Sequence, residues 1–221
     1  MATSFPLLLT AEVFLINSCN GLVCLARGHL GDGLYVCNPI LGEYISIPSP
    51  DKSITCWFKF VGLGFNARTN EYKVLQTCSN GESQIYTIGT GVWRSIGMAP
   101  SGTSMVHSLY SPFNSFLHGA LHWFPCSFDG SQFMQSFNFE TEQFRPLPPP
   151  FKGHLKLSQH YNHLKLGVLK GCLFLCVFGA YNSEFDMWVM KDYGVQESWT
   201  KILVIENLYP WVRHGLHNAY I

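Results

Sequence analysis

Three histidine pairs stand at spacings that metal sites use: His118 and His122, His160 and His163, and His214 and His217. A pair four residues apart grips a metal when both side chains leave one face of a helix. Around His118 the chain instead reads FLHGALHW, a β-hairpin turning at Gly119, so both read as turn and strand residues. The other two pairs lie in connector or tail sequence with no cysteine pair of zinc spacing nearby. Eight cysteines, at 19, 24, 37, 56, 78, 126, 172 and 176, form no C-x-x-C. Several sit in apolar runs, such as GLVCL around Cys24 and FLCVF around Cys176, and are expected as buried, reduced thiols. Gly62-x-Gly64 precedes a turn and a strand, not the helix start that a phosphate loop needs. No G-x-S-x-G nucleophile elbow occurs. These residues predict a non-catalytic chain with no catalytic, metal-binding or cofactor-binding residues.

Residues suited to partner recognition are a different set. Trp57, Trp123, Tyr181 and Trp211 fall near connectors or turn tips, and such aromatics anchor interfaces. Arg27, His29 and Phe128 join them on loop segments, since binding residues concentrate on loops held by a rigid scaffold. The candidate loops are 27–33, 79–82, 125–131 and 180–184.

The elements that must position these residues are short strands. Tyr35–Pro48, YVCNPILGEYISIP, reads as two strands around an Asn-Pro…Gly turn. The pattern returns as IYTIGTGVWRSI, FNFETEQFRPLP and MWVMKDYGVQESWTKI. Tyr44, Trp93, Phe144 and Trp199 mark the same place in each, 49, 51 and 55 residues apart. Repeats near this period point to solenoids, propellers or arrays. The mark aromatics are expected to pack between modules, with Tyr44 as an inter-module wedge. Four modules follow: about 13–48, 58–96, 115–148 and 165–205, with tails over 1–12 and 206–221. Turns every 8–12 residues or so and no sustained helical period predict an all-β domain. Its four-stranded antiparallel modules select a β-propeller-like array.

The 221 residues carry 47% hydrophobic and 15% aromatic residues, enough for a sizeable core. Charged residues make up only 13%, against a usual figure of about 25%. Fourteen basic and fourteen acidic residues balance, with no run of either sign. That excludes the basic footprint of a nucleic-acid binder and the polybasic signal of a membrane-surface protein. No apolar run reaches the roughly 20 residues of a membrane helix. The early stretch FPLLLTAEVFLI lacks a basic start, is interrupted by Glu12, and reads into a first strand rather than a signal peptide. With no N-x-[ST] sequon, the chain is expected in the cytoplasm or nucleus.

In this order the motifs resemble one family. Ser18-Cys19-Asn20-Gly21-Leu22-Val23-Cys24 is similar to the opening of plant F-box-associated, kelch-like domains. Asn38-Pro39 with the ending Tyr44-Ile45-Ser46-Ile47-Pro48 resembles their first blade. Gly62-Leu63-Gly64-Phe65-Asn66 with Asn70-Glu71-Tyr72-Lys73-Val74 resembles the second. His118-Gly119-Ala120-Leu121-His122-Trp123 and Phe137-Asn138-Phe139 with Phe144 resemble the third. The resemblance implies a substrate receptor of an SCF-type (Skp–cullin–F-box) ubiquitin ligase, whose β-domain binds the protein to be ubiquitinated. No F-box stretch stands before Val13, so docking to the ligase adaptor is not expected of this chain. No further blade follows Val204, so an incomplete propeller is expected, with open sheet edges that favour self-association. A sugar- or small-ligand-binding propeller is the alternative.

Overall fold

The computed structural model describes residues 3–4, 13–27, 33–50, 58–78, 80–100, 115–124, 134–150, 164–178 and 184–206. Among these the regular elements are strands and one 3-10 turn at Gln196–Ser198. The first sheet holds β1 (Thr3–Ser4), β2 (Val13–Cys19), β3 (Leu22–Arg27), β4 (Gly33–Asn38) and β5 (Glu43–Ile47), in the order β1-β5-β4-β3-β2. The second holds β6 (Phe58–Asn66), β7 (Glu71–Cys78), β8 (Glu82–Thr87) and β9 (Trp93–Met98). The third holds β10 (Ser115–Leu117), β11 (Ala120–Trp123), β12 (Met134–Asn138) and β13 (Gln143–Leu147). The fourth holds β14 (Leu164–Leu169), β15 (Cys172–Phe178), β16 (Glu184–Met190) and β17 (Trp199–Glu206). Each of the last three is a plain antiparallel meander, giving the all-β, four-by-four-strand arrangement of a propeller-like fold. The stretch 1–12 is not simply a tail. Thr3 and Ser4 pair with Tyr44 and Glu43 and add a fifth strand over the edge that β5 would expose.

Turn chemistry fixes the hairpins. Asn20-Gly21, His118-Gly119 and Lys170-Gly171 each place both turn residues at positive φ. That is the backbone hand that matches strand twist in a two-residue hairpin. A longer turn recurs at Asn38, Asn66 and Asn138. In each, the side-chain carbonyl accepts the amides two and three residues on. The residue four after each Asn is left-handed: Gly42, Asn70 and Glu142, at φ 69, 57 and 53. Glycine is the low-strain choice there, so a glutamate at position 142 needs another reason.

The chain divides into two compact units, Met1–Leu147 and Pro148–Ile221. In the first, β6 lies at the centre. Leu63 and Val61 face the first sheet and join a core of Ile16, Cys24, Ala26, Leu34, Val36 and Ile47. Gly62 and Gly64 face the third sheet. A Cβ at Gly62 would lie 2.1 Å from Leu121 Cδ2, and one at Gly64 2.1 Å from the Phe139 ring. These bare positions let Leu121 and Phe139 rest on the β6 backbone, within a second core of Phe60, Leu75, Ile85, Trp123 and Phe137. Asn17, 2% exposed, ties the first sheet to β6: Leu63 N–H donates to Asn17 Oδ1 at 2.9 Å, and Asn17 Nδ2 donates to the Leu63 carbonyl at 2.8 Å. Asn66 Nδ2 likewise donates to the Phe139 carbonyl at 3.2 Å.

The four mark aromatics share one register position, opposite Cys37, Tyr86, Phe137 and Met190. Their packing differs. Trp93 packs on the first core, and its indole N–H donates to the Pro48 carbonyl at 2.7 Å. Phe144 stacks on Phe137 and Trp123. In the second unit Trp199 is buried and donates to the Pro148 carbonyl at 2.9 Å. Tyr44 is the correction. It is half-exposed and meets Tyr35 edge-on at 5.8 Å, on the face turned away from the second sheet. It does not pack between the first and second sheets, because register puts its face opposite the one that meets β6.

Gly64→Ala should destabilise the chain by about 2–3 kcal/mol, as overpacking a filled core does. Gly62→Ala should cost less, because Leu121 Cδ2 is the end of a flexible side chain and the Phe139 ring is rigid. Urea denaturation of the two variants checks the order. Phe144→Ala should cost about 3–5 kcal/mol. Tyr44→Ala should cost only about 1 kcal/mol, the ordinary effect of a partly exposed site.

Candidate functional site

A meander puts its turns at two ends. Within each sheet taken by itself, the hairpin turns (20–21, 39–42, 67–70, 88–92, 118–119, 139–142 and 170–171) and the longer 191–198 connection fall at one end. The connections 28–32, 79–81, 125–133 and 179–183, and those leading from sheet to sheet, leave from the other. This connector end carries most of the loops picked out for recognition. Arg27 stands there, exposed, at the last position of β3 opposite Gly33. His29, Trp57, Phe128, Tyr181 and Trp211 lie outside the described residues. Trp123 is a correction. It sits at the connector end of β11 but is 4% exposed, packed on Phe60 at 4.3 Å between ring centroids and edge-on to Phe144. The bare β6 surface draws it into the core, so it anchors the third sheet and offers no surface to a partner.

The described part of this end includes most of the candidate loop 79–82 and, beside it, Met98, which sequence reasoning did not single out. The 78–82 turn is held by Gly81 N–H to the Cys78 carbonyl at 3.0 Å and Glu82 N–H to Asn80 Oδ1 at 3.0 Å. Met98 stands exposed beside it. At the opposite end Ile40, 89% exposed, Leu41 and Val92 project from outer-hairpin turns. An apolar residue directly after Asn38-Pro39 or after Gly89-Thr90-Gly91 is the sequence signal that could have marked these.

The strongest electrostatic feature joins the second and third sheets. Lys73 Nζ lies 2.9 Å from Glu142 Oε1 and 3.6 Å from Glu71 Oε2, while Arg94 pairs with the other Glu142 oxygen. The Lys73 side chain is 8% exposed and that of Glu142 19%, so the pair is largely out of water. Burial pushes the Glu142 carboxyl up, but the hydrogen bonds and charges of Arg94 and Lys73 outweigh it and hold the group below its usual range. The left-handed backbone at Glu142 is thus retained with a carboxylate that bridges two cations.

His122 is fully buried, its Nδ1–H donating to the Ser115 carbonyl at 2.9 Å. Desolvation drives its pKa down to about 4, beyond what the Ser115 bond restores, so the imidazole is neutral. It serves as an internal clasp of β10 to β11. Among the described residues no group of three His, Cys, Asp or Glu is placed to hold a metal. Cys19, Cys24, Cys37, Cys172 and Cys176 are free, and burial pushes the Cys19 and Cys24 thiols up to about 12. Protonated, enclosed thiols neither attack nor ligate. Cys78 departs from the expected reduced state. It is buried at the end of β7 and disulfide-bonded.

These sheets, turns and bare glycines can be set against known proteins. The F-box associated beta propeller domain model matches residues 4–218. The chain belongs to this family. Among its relatives is F-box protein At3g07870 of Arabidopsis thaliana, 32% identical, with 95% of this chain and 54% of the relative covered. F-box/kelch-repeat protein At3g23880 of the same plant is 28% identical over 90% of this chain and 54% of the relative. Jacalin-related lectin 37, also from that plant, is 28% identical over 80% of this chain and 37% of the lectin. The chain thus spans about half the length of the F-box relatives it matches. Membership gives the F-box-associated domain a protein-interaction role. No helix among the described residues is long and apolar enough to cross a membrane.

Two acid-sensitive groups follow. The depressed His122 pKa means the unfolded chain takes up a proton first. His122 therefore withdraws stability as pH falls from about 6.5 towards about 4. Glu142 stabilises above its ordinary value of 4.5 and loses that contribution as pH falls through its lower folded value. Urea midpoints against pH should show both declines, with Glu142→Gln flattening only the more acidic one and costing about 1–3 kcal/mol at neutral pH.

Proposed function

We propose that this F-box-associated domain is the substrate-recognition part of an F-box protein in an SCF-type ubiquitin ligase. It binds a target protein without catalysing a reaction and needs no cofactor. The family match over residues 4–218 carries the reading. The sheet ends are consistent with it: within each sheet the connections that carry the candidate recognition loops leave from one end of a strand frame, and binding residues concentrate on loops held by a rigid scaffold. Arg27 is the described residue of the recognition set that stands exposed, and His29, Trp57, Phe128, Tyr181 and Trp211 complete the proposed contact set. The site of action is the cytoplasm or nucleus, without nucleic-acid or membrane contact.

A sugar-binding reading has one observation in its favour, the similarity to Jacalin-related lectin 37. Sugar platforms use exposed aromatics. Of the described tryptophans Trp123 and Trp199 are buried, Trp93 bonds Pro48, and Trp188 lies under Lys201.

Affinity capture from plant tissue, with wild-type chain and an Arg27→Glu, Trp57→Ala, Tyr181→Ala variant, separates these readings. The expected result is one or more proteins held by the wild type and lost by the variant, whose ubiquitination rises when the chain is joined to an F-box segment. A specific glycan-array hit with no retained protein would establish the lectin reading instead. Recovery of the Skp-type adaptor by this chain alone would overturn the expectation that docking requires an added F-box.

A further inference from the structure

The second and third sheets meet over a largely apolar interface, but one level of it is polar. On the third sheet that level lies one ladder step from Phe144 on its own face, towards the connector end. Trp123, Gln135 and Pro146 stand side by side there, on the face that meets β6. Across the interface Phe60 stacks on Trp123 at 4.3 Å, and register sets Thr77 and Ser83 beside Phe60. Thr77 and Ser83 are fully buried, and Trp123 and Gln135 are 4% and 9% exposed.

Most of this level is internally matched. The Trp123 ring packs on Phe60 and Phe144, and the Thr77 and Ser83 hydroxyls bond each other at 3.0 Å. The Trp123 indole N–H and the Gln135 side-chain carbonyl are not. Both are buried, and neither has a hydrogen-bond partner among the described residues. Pro146, opposite Gln135, has no N–H to give. The indoles of Trp93 and Trp199, by contrast, each donate to a prolyl carbonyl. The second sheet repeats half of the pattern. Gln84 precedes Tyr86 as Gln135 precedes Phe137, and its buried side-chain carbonyl also lacks a partner among the described residues. Buried polar side-chain atoms are otherwise nearly always bonded, so an open donor beside an open acceptor on neighbouring strands points to a ligand.

The chemistry of the pair narrows what it takes. Trp123, Gln135, Thr77 and Ser83 carry no charge, and the Lys73–Glu142–Arg94 cluster of the same interface lies at its turn end, paired within itself. A carboxylate, phosphate or ammonium would enter uncompensated. A primary carboxamide fits, because its carbonyl accepts from the indole and the N–H beside it donates to the glutamine. In a trans peptide group the N–H and C=O point in opposite directions, so it meets one of the two at a time.

We propose that Trp123 and Gln135 form a subsite for an uncharged primary carboxamide, the side chain of an asparagine or glutamine on the bound protein. The partner class rests on the recognition reading above, and the subsite rests on the two unmatched atoms. The ring of Trp123 stays in the core and only its N–H edge takes part. Thr77 and Ser83 flank the 78–82 turn, so the subsite lies directly inside the candidate loop 79–82.

Indole N–H resonances of the full chain, followed through a titration with acetamide, test this. Trp123 is assigned from Trp123→Phe or, should that variant not fold, from the contact of its ring with Phe60. Its resonance should shift and saturate, while those of Trp93 and Trp199 stay in place. Methyl acetate, which keeps the carbonyl and lacks the N–H, should bind roughly tenfold more weakly, and so should sodium acetate. Gln135→Met removes the acceptor at similar length. It should weaken the acetamide response by roughly tenfold and leave the urea midpoint unchanged or higher, since no bond within the protein is lost. The series of small molecules needs wild type alone and decides the matter if Gln135→Met does not fold. A Trp123 shift that never saturates, one shared equally by Trp93 and Trp199, or one matched by methanol would overturn the proposal. So would a lower urea midpoint in Gln135→Met, because the carbonyl would then have a partner inside the protein. Acetamide has nothing else of a protein target, so its failure removes the subsite and leaves the recognition reading intact. Failure to capture a target would leave a positive acetamide result standing.

Discussion

Two glycines, two residues apart, leave one face of β6 without side chains, and the packing of the first unit depends on that vacancy. With Cβ atoms at Gly62 and Gly64, Leu121 and Phe139 could not sit where they do. The third sheet would be lifted off the second, and the Phe60–Trp123 stack would open with it. A bare strand has a cost: glycine surrenders more backbone freedom on folding than any other residue. Here the loss is offset because the neighbouring sheet fills the space with large, fully buried side chains. On the other face of β6 the problem is the reverse. Asn17 meets the N–H and the C=O of Leu63 with one side-chain amide. Two backbone groups that would each cost about 1–3 kcal/mol if buried unpaired are satisfied together.

The same economy explains how a chain with so few charged residues joins its sheets. Neutral hydrogen bonds from side chain to backbone do most of the stitching: Asn17 to Leu63, Asn66 to Phe139, Trp93 to Pro48. Each is directional, so each fixes an angle between neighbouring sheets as well as a separation. The prolines matter because a strand that ends at Pro48 leaves a carbonyl facing outward without a partner in its own ladder. An indole N–H arriving from the next sheet is a rigid donor that can meet it. One ionic cluster, Lys73–Glu142–Arg94, joins these bonds, and there the chain accepts a left-handed glutamate to obtain it.

Strand positions were legible because turn chemistry is local. Asn-Gly, His-Gly and Lys-Gly announce hairpins through the backbone region that they tolerate, and alternation then sets the strands. The equivalence of Tyr44, Trp93, Phe144 and Trp199 was legible from spacing. What Tyr44 packs against was not, because a repeat fixes register within a sheet and is silent on which neighbour covers each face. Trp123 failed for a related reason. Its place near a connector suggested exposure, but whether it turns outward depends on the bare backbone of β6, some sixty residues earlier in the chain. Cys78 shows the same limit: no C-x-x-C or other local spacing marks it, so its disulfide was not readable. The Glu142 cluster was hidden because its members are far apart in the chain and meet only when two sheets stack.

These constraints leave the connector end comparatively free. Tight turns carry the conformational demands of the fold: positive φ, Asn side chains turned back on the backbone, and, at Glu142, an ionic clasp. A substitution there alters strand register or sheet stacking. Most connections at the opposite end meet no such demand from the described strands, which end in ordinary ladder pairs such as Arg27 with Gly33. Sequence can therefore change at that end without disturbing the glycine strip, the Asn17 bond or the mark aromatics. The proposed recognition role would need that separation. The surface that distinguishes one partner from another must vary, while the core that holds it in shape must not. Trp123 marks the boundary between the two. It is the last residue of β11, with its ring committed to the core, and the chain leaves it directly for the connector that carries Phe128.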